Sequence, residues 1–138
     1  MTRTLCGAAF LVCLLTGHAA TPPAMNRFPI TDFGAVADGT TMNIAAIQNA
    51  IDTAAAAGGG TVVIPSGTFA SGAIFLKQGV ALWLDEGAGL FGSNHIEDYP
   101  KRQTRIEGHF GPWRLALVNA QQINGVRIGG TGRLTGTA

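Results

Sequence analysis

Charge is scarce in this chain. Lys, Arg, Asp and Glu make up 12% of its 138 residues, about half the ~25% of an ordinary soluble domain. The net charge is +1, with no Lys/Arg cluster and no interleaving of basic and aromatic residues, which excludes a nucleic-acid-binding surface. Intrinsic disorder is excluded as well, because 46% of the residues are apolar and the mean hydropathy is +0.26. The 20 glycines follow no strict three-residue period, so a collagen helix is out. Cysteine is nearly missing: Cys6 and Cys13 are the only two. The length allows one domain, or part of one in a repeat architecture.

Long apolar runs are also missing, with one short exception at the start. Leu5 to Leu15 is apolar, follows Arg3 and ends near Gly17-His18-Ala19. It is too short to cross a ~30 Å hydrocarbon core. The small-x-small pattern of Gly17 and Ala19 is what a signal peptidase reads. The expectation is an export signal over residues 1–19 and a mature chain over 20–138, secreted or periplasmic. Both cysteines would leave with the signal, and with them any disulfide or thiolate chemistry. Val12 stands where a lipoprotein signal needs a small residue before Cys13. No later stretch is apolar enough to span a membrane, so no membrane partner is expected after cleavage.

The remaining charges are unevenly placed. Up to Pro100, Arg27 and Lys77 stand against seven acidic residues; from Lys101 onward six basic residues stand against Glu107 alone. The second half therefore suits an anionic partner, with a merely solvated face as the alternative.

One helix is legible. Thr41 or Asn43 can cap it, Ile44, Ile47, Ile51, Ala54 and Ala55 form its apolar stripe, and Gly58-Gly59-Gly60 ends it. Strands are predicted at Thr61–Ile64, Ala73–Leu76 and Val80–Leu84. A shift of 20 residues lays Val62-Val63-Ile64 on Leu82-Trp83-Leu84, Gly67 on Gly87 and Gly72 on Gly92. Val126-x-Ile128 repeats the pattern two periods further on, with Leu115–Val118 as a strand of the intervening turn. A period of strand, glycine turn and strand predicts a solenoid, namely a parallel β-helix whose first coil the helix covers. An antiparallel β-sandwich is the competing architecture, but it does not explain the fixed register.

Chemical motifs are few. Gly87-Ala88-Gly89-Leu90-Phe91-Gly92 fits the dinucleotide pattern G-x-G-x-x-G but lacks the helix that must follow it. Asp85-Glu86 and Glu97-Asp98 read as turn carboxylates rather than a catalytic pair. His95 and His109 have no ligand partner at zinc spacing, so neither a metal nor another cofactor is expected. Arg105-Ile106-Glu107-Gly108-His109, with Trp113 and Arg114 nearby, is the most chemically loaded stretch. An arginine beside an aromatic ring can grip an acidic sugar. An Arg105–Glu107 pair that only orders a loop is the other reading.

Further residues carry a resemblance. Ile30-Thr31-Asp32-Phe33-Gly34-Ala35, Asp38-Gly39-Thr40, Ile47-Gln48-x-Ala50-Ile51-Asp52 and Gly58 to Pro65 form its opening. Asp98-Tyr99-Pro100, Thr104 to Gly108 and Val126-x-Ile128-x-Gly130-x-Gly132 continue it. Together they resemble glycoside hydrolase family 28, the polygalacturonases, within the pectate-lyase-like β-helix superfamily. The resemblance implies an all-β fold, a right-handed parallel β-helix with one N-terminal capping helix. It also implies hydrolysis of α-1,4-galacturonosyl bonds in pectin, with inversion. The family's catalytic Asn-x-Asp, Asp-Asp, Gly-His-Gly and Arg-x-Lys motifs are not in this chain, and Thr135 stands where the family has an aspartate. No catalytic residue is assigned.

The resulting expectation is the N-terminal cap and first coils of a secreted pectin hydrolase, inactive alone and monomeric in full-length form. Arg105, Glu107 and His109 would touch the acidic polysaccharide at the rim of its groove. A non-catalytic β-helix module that binds polysaccharide is the alternative. A calcium-dependent lyase of the same architecture is another, although no acidic cluster suits the ion.

Overall fold

The computed structural model describes residues 26–136; the predicted export signal lies outside them. In chain order the elements are β1 (Arg27–Pro29), β2 (Asp38–Met42), α1 (Ile44–Ala56), β3 (Gly60–Ile64), β4 (Gly67–Ser71) and β5 (Ile74–Phe75). Then come β6 (Val80–Leu84), β7 (Ala88–Gly92), β8 (Lys101–Ile106), β9 (His109–Arg114), β10 (Val118–Asn119), β11 (Arg127–Gly130) and β12 (Arg133–Thr135).

Strands stack in parallel between coils, giving three ladders: β1-β3-β6-β11, β2-β4-β7-β12 and β5-β10. This is the expected parallel β-helix. The inward rows are aliphatic, with Val62 on Leu82, Ile64 on Leu84 and Phe69 on Leu90, all buried. Each such side chain contributes about 1.5–3 kcal/mol on burial. Helix α1 lays Ile47, Ala50, Ile51 and Ala54 over the first coil and joins the same core.

The helix ends as its glycines require. Gly58 sits at φ +87°, and the Gly59 N–H donates to the Ala54 carbonyl at 2.9 Å while the Gly58 N–H donates to Ala55 at 3.1 Å. That is a Schellman arrangement, and it needs a left-handed residue at 58. The start differs from expectation. Asn43 occupies the N-cap position without capping through its side chain. Its buried amide donates instead to the carbonyls of Val36, Thr41 and Ala70, and its Oδ1 accepts from the Val36 N–H at 2.8 Å. Thr41 is no cap either, because its hydroxyl and N–H both bond Asp38. Those bonds, with the Thr40 N–H, hold the Asp38 carboxyl well below the usual carboxylate range.

Register corrects the repeat in two places. The 20-residue shift holds on the first ladder, where Val62 faces Leu82. On the second it becomes 21, with Gly67 facing Ala88 and Ser71 facing Gly92. The corner Pro65-Ser66 has gained one residue in Asp85-Glu86-Gly87, which shifts every later pair. Second, Ile128 lies directly on Leu82, so the echo at Val126 is the next coil and not the second next. Leu115–Val118 forms no coil of its own. Its last residue opens β10, which closes the coil of β6 and β7 by lying on β5. The length between is an insertion, with β8 and β9 forming an antiparallel hairpin.

Candidate functional site

Arg105 lies on that hairpin. The segment 101–114, where one reading of the sequence had an Arg105–Glu107 pair ordering a loop, forms a two-stranded ribbon whose turn is Glu107-Gly108. Both turn residues have positive φ, +50° and +88°, as a two-residue type I′ turn requires. Pairing sets Arg105 directly opposite Phe110, and the guanidinium carbon lies 5.7 Å from the Phe110 ring centroid. Phe110 is 78% exposed, so the ring and the guanidinium together present a mixed apolar and cationic surface.

Successive residues of a strand face opposite ways. Arg105 and Phe110 share one face of the ribbon, and the His109 pair faces the other. Glu107 forms the tip between them. The fold therefore gathers Arg105, Glu107 and His109 on one hairpin without aiming them at one point. The ion pairs among the described residues are Arg27–Asp85 and Lys77–Asp52, so Glu107 is not the partner of Arg105.

One contact fixes the ribbon to the solenoid, and another ties it to the segment that leads into it. Arg102 places its guanidinium 4.7 Å from the centroid of Phe75 in β5. Arg114 donates to the carbonyls of Ile96 and Tyr99 at 3.1 and 3.3 Å. Beyond the ribbon, the Asn119 side chain accepts from the Ala116 N–H and donates to the Ala116 and Ile74 carbonyls, which sets the path of the chain into Gln121 and Gln122.

The result is an open groove of about 420 Å³ between Gln103, Thr104, Arg105 and Phe110 on one side and Gln121 and Gln122 on the other. Amide groups that both donate and accept stand opposite a cation and an aromatic ring. Such a set can hold hydroxyls, a carboxylate and the apolar face of a sugar at once. A larger hollow of about 540 Å³ lies against the β2-β4-β7 sheet near Met42, Phe91 and His95. It brings no guanidinium, so it is the weaker candidate for an anion. Sequence reading missed Phe110, Gln121 and Gln122. The Glu107-Gly108 turn was the available signal for Phe110, because a hairpin folded there sets 105 against 110.

The family model for rhamnogalacturonase A and epimerases of the pectate lyase-like type matches residues 28–89. An exo-poly-alpha-D-galacturonosidase from Dickeya chrysanthemi is 40% identical over 115 residues, covering 83% of this chain and 18% of that protein. Among solved structures, the family 28 exopolygalacturonase of Yersinia enterocolitica is 36% identical with a TM-score of 0.69, covering 80% of this chain and 20% of its own. The hyperthermoactive exopolygalacturonase of Thermotoga maritima is 32% identical with a TM-score of 0.76, covering 82% and 25%. The chain thus spans about a fifth of the length of these relatives. It shares the parallel β-helix fold with them, and over most of its length it is similar to the exopolygalacturonases of glycoside hydrolase family 28.

Proposed function

We propose that this chain is the scaffold and substrate-rim part of an exported pectin-degrading hydrolase that cleaves α-1,4-galacturonosyl bonds with inversion. The observation that carries the reading is the Arg105–Phe110 pair facing an open groove opposite Gln121 and Gln122. A galacturonate unit offers a carboxylate for the guanidinium, a ring face for Phe110 and hydroxyls for the amides. Glu107 and His109 lie on the same hairpin but outside the residues that line the groove. The catalytic carboxylates of an inverting hydrolase flank the bond with room for water between them, and residues 26–136 contribute the frame beside which they would stand. The chain alone binds acidic polysaccharide without cleaving it, the full-length protein is a monomer, and the chain reaches the periplasm or medium after cleavage behind Ala19.

The test is retention of the full chain on immobilised polygalacturonate, with a reducing-end assay on the same samples. Retention without new reducing ends is expected. Arg105→Ala should weaken retention about tenfold, the loss of one charge-assisted contact, with an unchanged unfolding midpoint. Unaltered retention together with a lowered midpoint would overturn the assignment. The mass of the exported product checks the cleavage site.

A further inference from the structure

We propose that the outer face of the β1-β3-β6-β11 sheet carries a second carbohydrate platform, where the Trp83 indole stacks on a sugar ring and Arg127 takes the carboxylate of a uronic-acid unit. The inference rests on the reading above only for the identity of the polymer, an acidic polysaccharide.

Register places two rows of side chains on that face. One is Arg27, Thr61, Ala81 and Arg127; the other is Pro29, Val63, Trp83 and Gly129. Trp83 is 44% exposed, so a large aromatic surface is open to solvent on an otherwise flat ladder. The indole extends over the next coil. A Cβ built on Gly129 would stand 3.0 Å from Cζ3 and 3.2 Å from Cε3 of the ring, so a side chain at 129 would force the ring away. The glycine leaves the ring its place across the sheet.

Beside it, Thr61 and Ala81 are small, and they floor a hollow of about 530 Å³ that Trp83 and Arg127 wall. The two cations of the row differ in their engagement. Arg27 pairs with Asp85 at 3.5 Å, whereas neither ion pair among the described residues involves Arg127. An aromatic ring adjoining an uncommitted guanidinium matches a pyranose that carries a carboxylate. The strands involved are not those of the hairpin groove, so the two sites share no lining residue.

Trp83 and Trp113 are the two tryptophans of the chain, so Trp113→Phe leaves Trp83 as the reporter. The full chain carrying that change is titrated with polygalacturonate and, separately, with uncharged galactan while indole emission is followed. Saturable quenching by polygalacturonate is expected, weakened at least fivefold by Arg127→Ala. Emission that stays constant up to saturating polygalacturonate overturns the platform, as does an equal response to galactan. Loss of column retention in Arg105→Ala with a silent Trp83 would leave the groove standing and remove the platform. Quenching that survives Arg105→Ala supports the platform whatever becomes of the groove. As a second readout, polygalacturonate in a native gel should retard the parent more than Arg127→Ala, each measured against its own mobility in a gel without the polymer; equal retardation overturns the proposal.

Discussion

Gln48 of α1 is hydrogen-bonded to both backbone groups of Phe75 in β5. Its Oε1 accepts from the Phe75 N–H at 2.9 Å and its Nε2 donates to the Phe75 carbonyl at 3.1 Å. The other edge of β5 is served by β10 through the N–H groups of Ile74 and Leu76. The helix thus ends the third ladder with one side-chain amide, which does the work of a missing strand.

Gln48→Ala should therefore destabilise the fold by about 1–3 kcal/mol, the cost of leaving partly buried backbone groups unpaired. Denaturant unfolding followed by circular dichroism measures it. Gln48→Glu keeps the acceptor but sets a carboxylate against the Phe75 carbonyl and Asp52, so it should be no more stable than the alanine variant. An alanine variant as stable as the parent would show that water replaces the amide at no cost.

Acid should act on the same corner. The Lys77 ammonium, 2.9 Å away, and then the Gln48 amide hold the Asp52 carboxyl below its ordinary value. A depressed folded-state pKa contributes stability above the unfolded value and loses it as pH falls through the folded one. Both partners are about half exposed, so the pair is worth roughly 0.2–1 kcal/mol. Asp52→Asn should cost that much at pH 7, and the two curves should converge as the pH falls below the ordinary carboxylate range. A constant difference across that range would assign the loss to packing.

Phe69 is fully buried against Leu90 of the following coil. Phe69→Ala should cost about 3–5 kcal/mol by losing buried surface and leaving a cavity, and Phe69→Leu clearly less. Thermal unfolding of both variants gives the comparison; equal losses would mean that the coil collapses around either residue.

Glu107 holds a left-handed conformation that β-carbon residues adopt at a cost of roughly 1–2 kcal/mol. Glu107→Asn places the residue preferred before glycine in a type I′ turn and should stabilise the hairpin by up to about 1 kcal/mol. Amide exchange of residues 101–114 reads it directly. Faster exchange would show that the carboxylate itself holds the tip.

The frame was readable because a solenoid writes its register into the sequence. Val62 on Leu82 needs only period and hydrophobicity, and both survive in one sequence. The corner residue that turns 20 into 21 was less visible, since Pro65-Ser66 and Asp85-Glu86-Gly87 are equally good turn sequences. The hairpin was missed for a related reason. Arg102 to Ile106 does not alternate apolar with polar, because a two-stranded ribbon with both faces exposed has no core to pattern it. Asn43 looked like a cap because caps and long-range clasps use the same amide. Arg105 was singled out by its chemistry, while its partners Phe110 and Gln121 are brought to it only by pairing and by Asn119.

The hairpin enters after β7 and returns before β10, whose place on β5 is set by other residues. Its internal pairs join near neighbours in the chain, whereas the ladders join residues 20 to 46 positions apart. Wall and frame are in this respect separate inventions. The segment 101–114 can be exchanged, lengthened or recharged without disturbing the stacking that carries it. Sequence change in that short local segment can therefore proceed while the stability of the solenoid stays out of play.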